Sequence, residues 1–411
     1  MKLKNTPLYF GIVYKRIKKS LIEFTTTLRR KIYVLLYCKQ YKLIKRPEDI
    51  FKVLYRIKEE TWEHSYTPTV FEIVKEREII AKYPVQEIYQ MENAIICAGS
   101  DIVLTEKGAW WDKYNDEDFM SCAIPADCNV YYYNREIVYA KKIKKPVFIS
   151  GISLSLVGVW SYAWSHFLFQ FLCKLYYAGK AGLLDQEITL ITNDFKDPNI
   201  NQVIAEYLIK YPKVKWMKTA ERIPYKCENL ICAPAMATNY DEFHYYLEYR
   251  LVIPHTVMDA LSEYLVKPLI QKVKNNPQKY KKLFLERKNN RYLNNREEVE
   301  EFFRQEGFHF VECADLSLEE KADLFYHAEI IVGSSSSAFT NMIFCNGAKC
   351  MAFTNNRFAN DGQMYCLSKK NLSRYFKVSG YDDSYNRRSN YTIPLDRIKA
   401  AYSALLNNEE I

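Results

Sequence analysis

The segments KKLFLER (281–287) and AEIIVGSSSSAFTN (328–341) decide the fold. Each carries a short apolar run bounded by charged or small residues, the pattern of a strand buried in a parallel sheet. Between them Arg296–Glu306 reads as a helix stopped by Gly307, Phe308–Glu312 as a strand and Ser317–His327 as a second helix. Ala338–Cys345 follows the serine run as a third. Two helix starts have the form of capping boxes, Asn294 with Glu297 and Ser317 with Glu320, in which side chain and backbone satisfy each other's end groups. Strand and helix alternating in this way predict a parallel, doubly wound sheet.

The same stretch offers an anion site. Ile330-Ile331-Val332-Gly333 leads through Ser334, Ser335, Ser336 and Ser337 into a helix start that also carries Asn341. Backbone N–H groups, the positive end of a helix dipole and several hydroxyls suit a phosphate, although the same small residues also suit a tight turn that needs only clearance. Arg287 ends the earlier strand, and Arg291 lies four residues on. Ligands of doubly wound sheets sit beyond the carboxyl ends of the strands, so Arg287 and the serine turn are expected to face one crevice. There a guanidinium can grip a phosphate with two parallel hydrogen bonds.

Upstream the alternation is looser. Asn93–Cys97, Asp101–Leu104, Val130–Tyr133 and Pro146–Ser150 read as strands, and Ile50–Glu60 as a short helix. Trp164–Tyr177 is bulky on nearly every side, which predicts a buried helix ending near Gly179. Glu187–Thr192, Val214–Met217 and Leu230–Cys232 then read as strands, with a helix at Ile200–Lys210 and a long one at Thr256–Lys274. A chain of 411 residues exceeds what one core of about 250 residues fills. The expected division is a basic helical arm over 1–60, a first α/β domain over 61–240 and a second over 241–411, with the boundary in Asn239–Pro254.

Charge is unevenly placed. Through residue 47 thirteen Lys and Arg stand against a single acid, Glu23, while the whole chain carries +9, so the basic excess sits in the arm. Ile17, Leu21, Phe24, Leu28, Ile32 and Leu35 recur at three- and four-residue steps opposite most of these cations. An anionic membrane surface is the expected partner of residues 1–47, the alternative being a helix packed on its own domain. No stacking or groove-reading module accompanies the charge, which speaks against nucleic acid. Eleven scattered cysteines, with no C-x-x-C pair and no Cys/His cluster, read as reduced thiols. No apolar run approaches the ~18 residues that span a bilayer, and no secretory leader is legible. The expected location is cytoplasmic, peripheral at the inner face of the cell membrane.

Lys281–Phe284, Arg287, Arg291, Asn294, Gly307-Phe308, Leu316-Ser317-Leu318-Glu319-Glu320, Ala328-Glu329-Ile330-Ile331-Val332-Gly333 and Thr340-Asn341-Met342-Ile343-Phe344 resemble glycosyltransferase family 61 in order and spacing. The resemblance implies a GT-B-like α/β fold, two Rossmann-like domains facing across a cleft, here with the basic arm added. It implies inverting, metal-independent transfer of a sugar to a surface-polysaccharide acceptor of capsule or O-antigen type, a glycan or lipid-linked glycan. The co-substrate would be a nucleotide diphosphate sugar, a UDP-sugar in the first place, with no cofactor. Arg287, Arg291, Ser334, Ser335, Ser336, Ser337 and Asn341 would hold it.

Trp164-Ser165-His166 resembles the family's His-containing helix start. His166 is therefore a candidate to contact the diphosphate or to take the acceptor's proton, and otherwise a packed core histidine. The family's usual acid stands here as Gln170, its Asn as Ala163 and its His-Gly as Ser335-Ser336. Ser335-Ser336 and Gln170 leave open a member that has lost catalysis and serves as a membrane-associated assembly partner, and a third reading keeps the cleft but transfers a pyruvyl or phosphoryl group onto a glycan. Asp116-Glu117-Asp118 has the Asp-x-Asp form that holds a divalent cation against two phosphates, but no buried strand precedes it and a solvated acidic loop fits it better. Asp116, Asp112 and Glu106 compete for the role of catalytic base. His309 and His327 are expected to be structural.

Overall fold

The computed structural model describes residues 28–29, 31–58, 61–66, 69–71, 78–83, 85–111, 130–133, 136–143, 145–220, 222–234, 253–287, 291–355, 364, 367, 370–381 and 389–407. They form an α/β protein with a mixed sheet of eleven strands, a parallel sheet of six, and a two-stranded ribbon, Thr61–Tyr66 against Glu78–Tyr83.

The six-stranded sheet is the one anticipated from residues 281–341. Its spatial order is His309–Val311, Lys282–Leu285, Ile330–Ser334, Lys349–Asn355, Arg374–Gly380 and Thr69–Phe71, parallel at every junction. The first five run 2-1-3-4-5 in chain order. In that arrangement the switch point lies between the first and third strands, here Lys282–Leu285 and Ile330–Ser334. Gly333 permits their approach, since a Cβ at that position would lie 2.5 Å from Leu285 O. The sixth strand, Thr69–Phe71, comes from far upstream, so the sheet is not built from 241–411 alone.

The large sheet departs from the expected Rossmann-like form. Val214–Thr219, Ile188–Asn193, Val147–Ser155 and Pro224–Cys232 are parallel and run 3-2-1-4 in chain order, as anticipated for a βα series. Gln86–Cys97 then joins Pro224–Cys232 antiparallel and leads into Ile102–Thr105 and Gly108–Trp111. The turns at Ala98-Gly99 and Glu106-Lys107 are too short for a crossover, and tight turns join only antiparallel neighbours.

The helical arm over 1–60 is corrected as well. Residues 31–37 are helical, but Cys38–Ile44 is a strand lying between Gly108–Trp111 and Ile137–Lys141. Lys52–Lys58, read as a helix, is a strand on Gln86–Cys97. Val53, Tyr55 and Ile57 recur at period two, and branched and aromatic residues so spaced favour a pleated strand. Ile17, Leu21 and Phe24 lie outside the described residues, while Leu28, Ile32 and Leu35 are exposed. No helix among the described residues is long and apolar enough to cross a membrane.

Helix Trp164–Lys180, wound as a π-helix over Phe167–Leu172, is apolar all round and correspondingly buried. It packs on the helical run His255–Val273. One apolar core extends from Phe167, Leu172 and Leu190 through Val257 and Leu261 to Leu283, Phe325 and Phe339, so both sheets share it. Most of Asn239–Pro254 lies outside the described residues.

Candidate active site

The serine turn is fixed from three sides. Ser334 ends its strand buried, and its Oγ accepts a 3.3 Å hydrogen bond from Tyr391 Oη. Ser335 N donates to Phe353 O at 2.7 Å, which holds the turn to the next strand. Ser336 Oγ then accepts from Ala338 N at 3.2 Å as an N-cap.

The helix that follows, Ser337–Phe344, is 3-10 rather than the α-helix expected over Ala338–Cys345. Three residues per turn stack position i over i+3, so Phe339 with Met342 and Thr340 with Ile343 turn together into the core, and all four are buried.

Arg287 reaches across the switch point to this turn, its Nη1 donating to Ser335 O at 2.9 Å. Burial, and then the charge of Arg291, push its pKa down to about 10 against the opposing pull of Tyr391 and Glu312. It remains a cation at neutral pH. Arg291 sits close enough to act on Arg287 electrostatically, but it is not among the residues that line the cavity described next.

An open cavity lies where the carboxyl ends of the parallel strands meet. Glu286 and Arg287 enter after the first strand of the small sheet, Glu312, Cys313 and Ala314 after the second, and Ser336, Ser337, Ala338 and Asn341 after the third. Lys321 enters from helix Leu318–His327. Trp164 and Asp197 come from segments that follow strands Val147–Ser155 and Ile188–Asn193 of the large sheet. Trp164 Nε1 donates to Asn341 Oδ1 at 3.1 Å, and Asn341 Nδ2 donates to Ala338 O at 3.0 Å. Asn199 Nδ2, at 3.2 Å from Leu316 O, is a second polar link between the two sheets' segments.

The structure thus brings Arg287, Ser336, Ser337 and Asn341 to one cavity, with Ser334 and Ser335 buried. Asn341 uses both ends of its amide to hold the turn and Trp164 in place. His166, one helical step from Trp164, rests against the Trp160 ring, centroids 5.1 Å apart, and does not line the cavity. Asp112 and Asp116 lie outside the described residues. His309 stacks on Tyr280 at 3.5 Å, and His327 pairs with Asp323 at 3.2 Å, both in structural roles. Among the described residues no group of three or more His, Cys, Asp or Glu is placed to hold a metal.

Sequence reasoning quoted Trp164 only as part of a family-like helix start and passed over Asp197 and Lys321. Asp197 carried a local signal, an acid directly before Pro198, and it does cap helix Pro198–Leu208 by accepting from Asn199 N at 2.9 Å. Lys321 carried another, a cation sharing a helix face with Leu318 and Phe325. Of the two capping boxes, Ser317 with Glu320 is present. Asn294 instead donates to Thr392 Oγ1 at 3.2 Å, and the N-cap is Asn295, without a side-chain cap bond.

No curated protein matches the chain. Residues 164–352 match the family described as Glycosyltransferase 61, a span that opens at Trp164 and contains every residue lining the cavity. That span is a glycosyltransferase family 61 domain, and the chain that carries it is a glycosyltransferase.

Proposed function

We propose that the chain transfers a sugar, with inversion and without a metal, from a nucleoside diphosphate sugar to a glycan acceptor, and that the diphosphate is held at the switch point by Arg287 and the serine turn. The observation that carries this reading is the convergence of strand carboxyl ends on one cavity, with Arg287 already bonded to the turn. Parallel portions of both sheets contribute to it, which supports a GT-B-like arrangement with the donor on the small sheet. The family domain and the basic arm together favour a surface polysaccharide or lipid-linked glycan as acceptor, reached at the cytoplasmic face of an anionic membrane.

Each part then has a chemical task. Arg287, with Arg291 behind it, neutralises the charge that develops on the departing diphosphate. Ser336 and Ser337 offer hydroxyl and backbone donors at the same place. Trp164 helps close the cavity wall, and limiting water there protects the donor from hydrolysis. The acceptor's proton goes to a carboxylate. Asp197 is the described acid that reaches the cavity from the large sheet, and it takes that role here. His166 supports the Trp160–Trp164 corner.

A panel of nucleotide sugars with a glycan acceptor tests the reading by the nucleoside diphosphate released. Release from one donor that depends on acceptor supports glycosyl transfer. Modification of the acceptor without a nucleoside diphosphate product contradicts it.

A further inference from the structure

The cavity holds a cation for which the fold gives no structural reason. Lys321 is only 4% exposed, on a helix face otherwise formed by Leu318, Ala322 and Phe325. Buried ammonium groups normally have a carboxylate partner, because the charge is otherwise stripped of water without compensation. Among the described residues no carboxylate oxygen stands within 4.0 Å of its Nζ. Asp197 acts on it only at longer range, and Nζ lies over the Trp164 ring, 5.5 Å from the centroid. An aromatic face attracts the cation without neutralising it. Lys321 lines the cavity, so the charge opens on the space where Arg287 and the serine turn also point.

We propose that Lys321 is a phosphate-binding residue of this cavity, its ammonium taking a diphosphate oxygen from the helix after the second strand while Arg287 and the serine turn approach from the first and third. The inference rests on the nucleoside diphosphate reading of the site and adds a third point of attachment. A ligand with two linked phosphates can meet Arg287 and Lys321 together, whereas a monophosphate meets one of them. Burial lowers the lysine's pKa, and an anion bound beside it favours the protonated form.

Calorimetric titration with inorganic pyrophosphate, UDP and UMP separates the possibilities for the wild type and for Lys321→Met, Lys321→Gln and Lys321→Arg. The expected result is a loss of about tenfold or more in pyrophosphate and UDP affinity for the Met and Gln variants, with UMP affected far less and Arg retaining most of the binding. Met and Gln differ in shape and polarity, so a folding defect in one leaves the other to decide. Equal pyrophosphate affinity in the wild type and both neutral variants overturns the proposal. So does an equal loss for UDP and UMP, which marks a merely structural residue. If pyrophosphate binds through Lys321 but no nucleotide sugar is turned over, the lysine assignment stands and the glycosyl-transfer reading fails. If UDP binds all four proteins alike, the lysine assignment fails while the nucleoside diphosphate reading of the cavity stands.

Discussion

Trp164 Nε1 donates a 3.1 Å hydrogen bond to Asn341 Oδ1, joining the helix start that follows a strand of the large sheet to the 3-10 helix beyond the serine turn. Both residues are buried. The two walls of the cavity are therefore tied by a side-chain bond between residues 177 positions apart. Trp164→Phe keeps much of the ring packing and removes the donor, leaving Asn341 Oδ1 buried without its partner. The expected cost is ~1–3 kcal/mol of stability in urea denaturation, with a larger relative loss in donor-sugar KM than in acceptor KM. An unchanged midpoint would show that the bond contributes nothing to the closed wall.

Asp197→Asn preserves a side chain able to cap helix Pro198–Leu208 while removing the carboxylate. The unfolding midpoint should stay near that of the wild type. Turnover is expected to drop about 100-fold or more, the usual scale for a general base, with donor affinity retained. Full turnover in this variant would move the base to another residue, with Asp112 and Asp116 next to be substituted.

The Ser317–Glu320 capping box gives stability a defined pH dependence. Hydrogen bonds from the Ser317 backbone and side chain hold the Glu320 carboxyl below its ordinary 4.5. A carboxyl whose folded pKa is depressed stabilises the fold fully above its unfolded value, and the contribution is lost as pH falls through the lowered folded value. Glu320→Gln should therefore flatten the acid limb of a stability-against-pH curve below about pH 4.5 without altering its shape near neutrality. Ser317→Ala should cost about 1 kcal/mol at pH 7 through loss of the cap.

Membrane association is tested best by charge, because Cys38–Ile44 belongs to the large sheet and cannot be removed with the arm. Replacing Lys15, Arg16, Lys18, Lys19, Arg29, Arg30 and Lys31 with Gln changes no residue of a described strand. Sedimentation with phosphatidylserine vesicles should then fall at least tenfold, since each basic residue near such a surface contributes about 1 kcal/mol. Equal pelleting of the two proteins would place the glycan acceptor's site elsewhere than an anionic bilayer.

The small sheet was legible because its strands are short apolar runs with helices between them, whereas the close approach that Gly333 permits at the switch point shows only in the packing of the two strands. Arg287 and the serines were legible for the same reason, since strand carboxyl ends mark a crevice in this topology. The large sheet was less so. Its antiparallel strands are joined by tight turns at Ala98-Gly99 and Glu106-Lys107, and the run Lys52–Lys58 has too few residues for period two to be told from a helical turn. Lys321 was hidden because a lysine on a helix reads as solvated until the opposite wall is in place, and that wall, Trp164, lies 157 residues earlier in the chain. The addition of Thr69–Phe71 to a sheet otherwise formed after residue 281 follows from no local pattern.

Calorimetric titration of the wild type and Arg287→Ala with UDP, GDP and CDP tests most directly whether the switch point holds a nucleoside diphosphate. The account predicts saturable binding of one of the three by the wild type, weakened about 10- to 100-fold in the variant, the scale of a lost charge-assisted hydrogen-bond pair. A folding control by circular dichroism should show the variant's fold intact. Binding to Arg287→Ala with wild-type affinity would contradict the account, because the cavity would then hold its ligand without the guanidinium that is bonded to the serine turn.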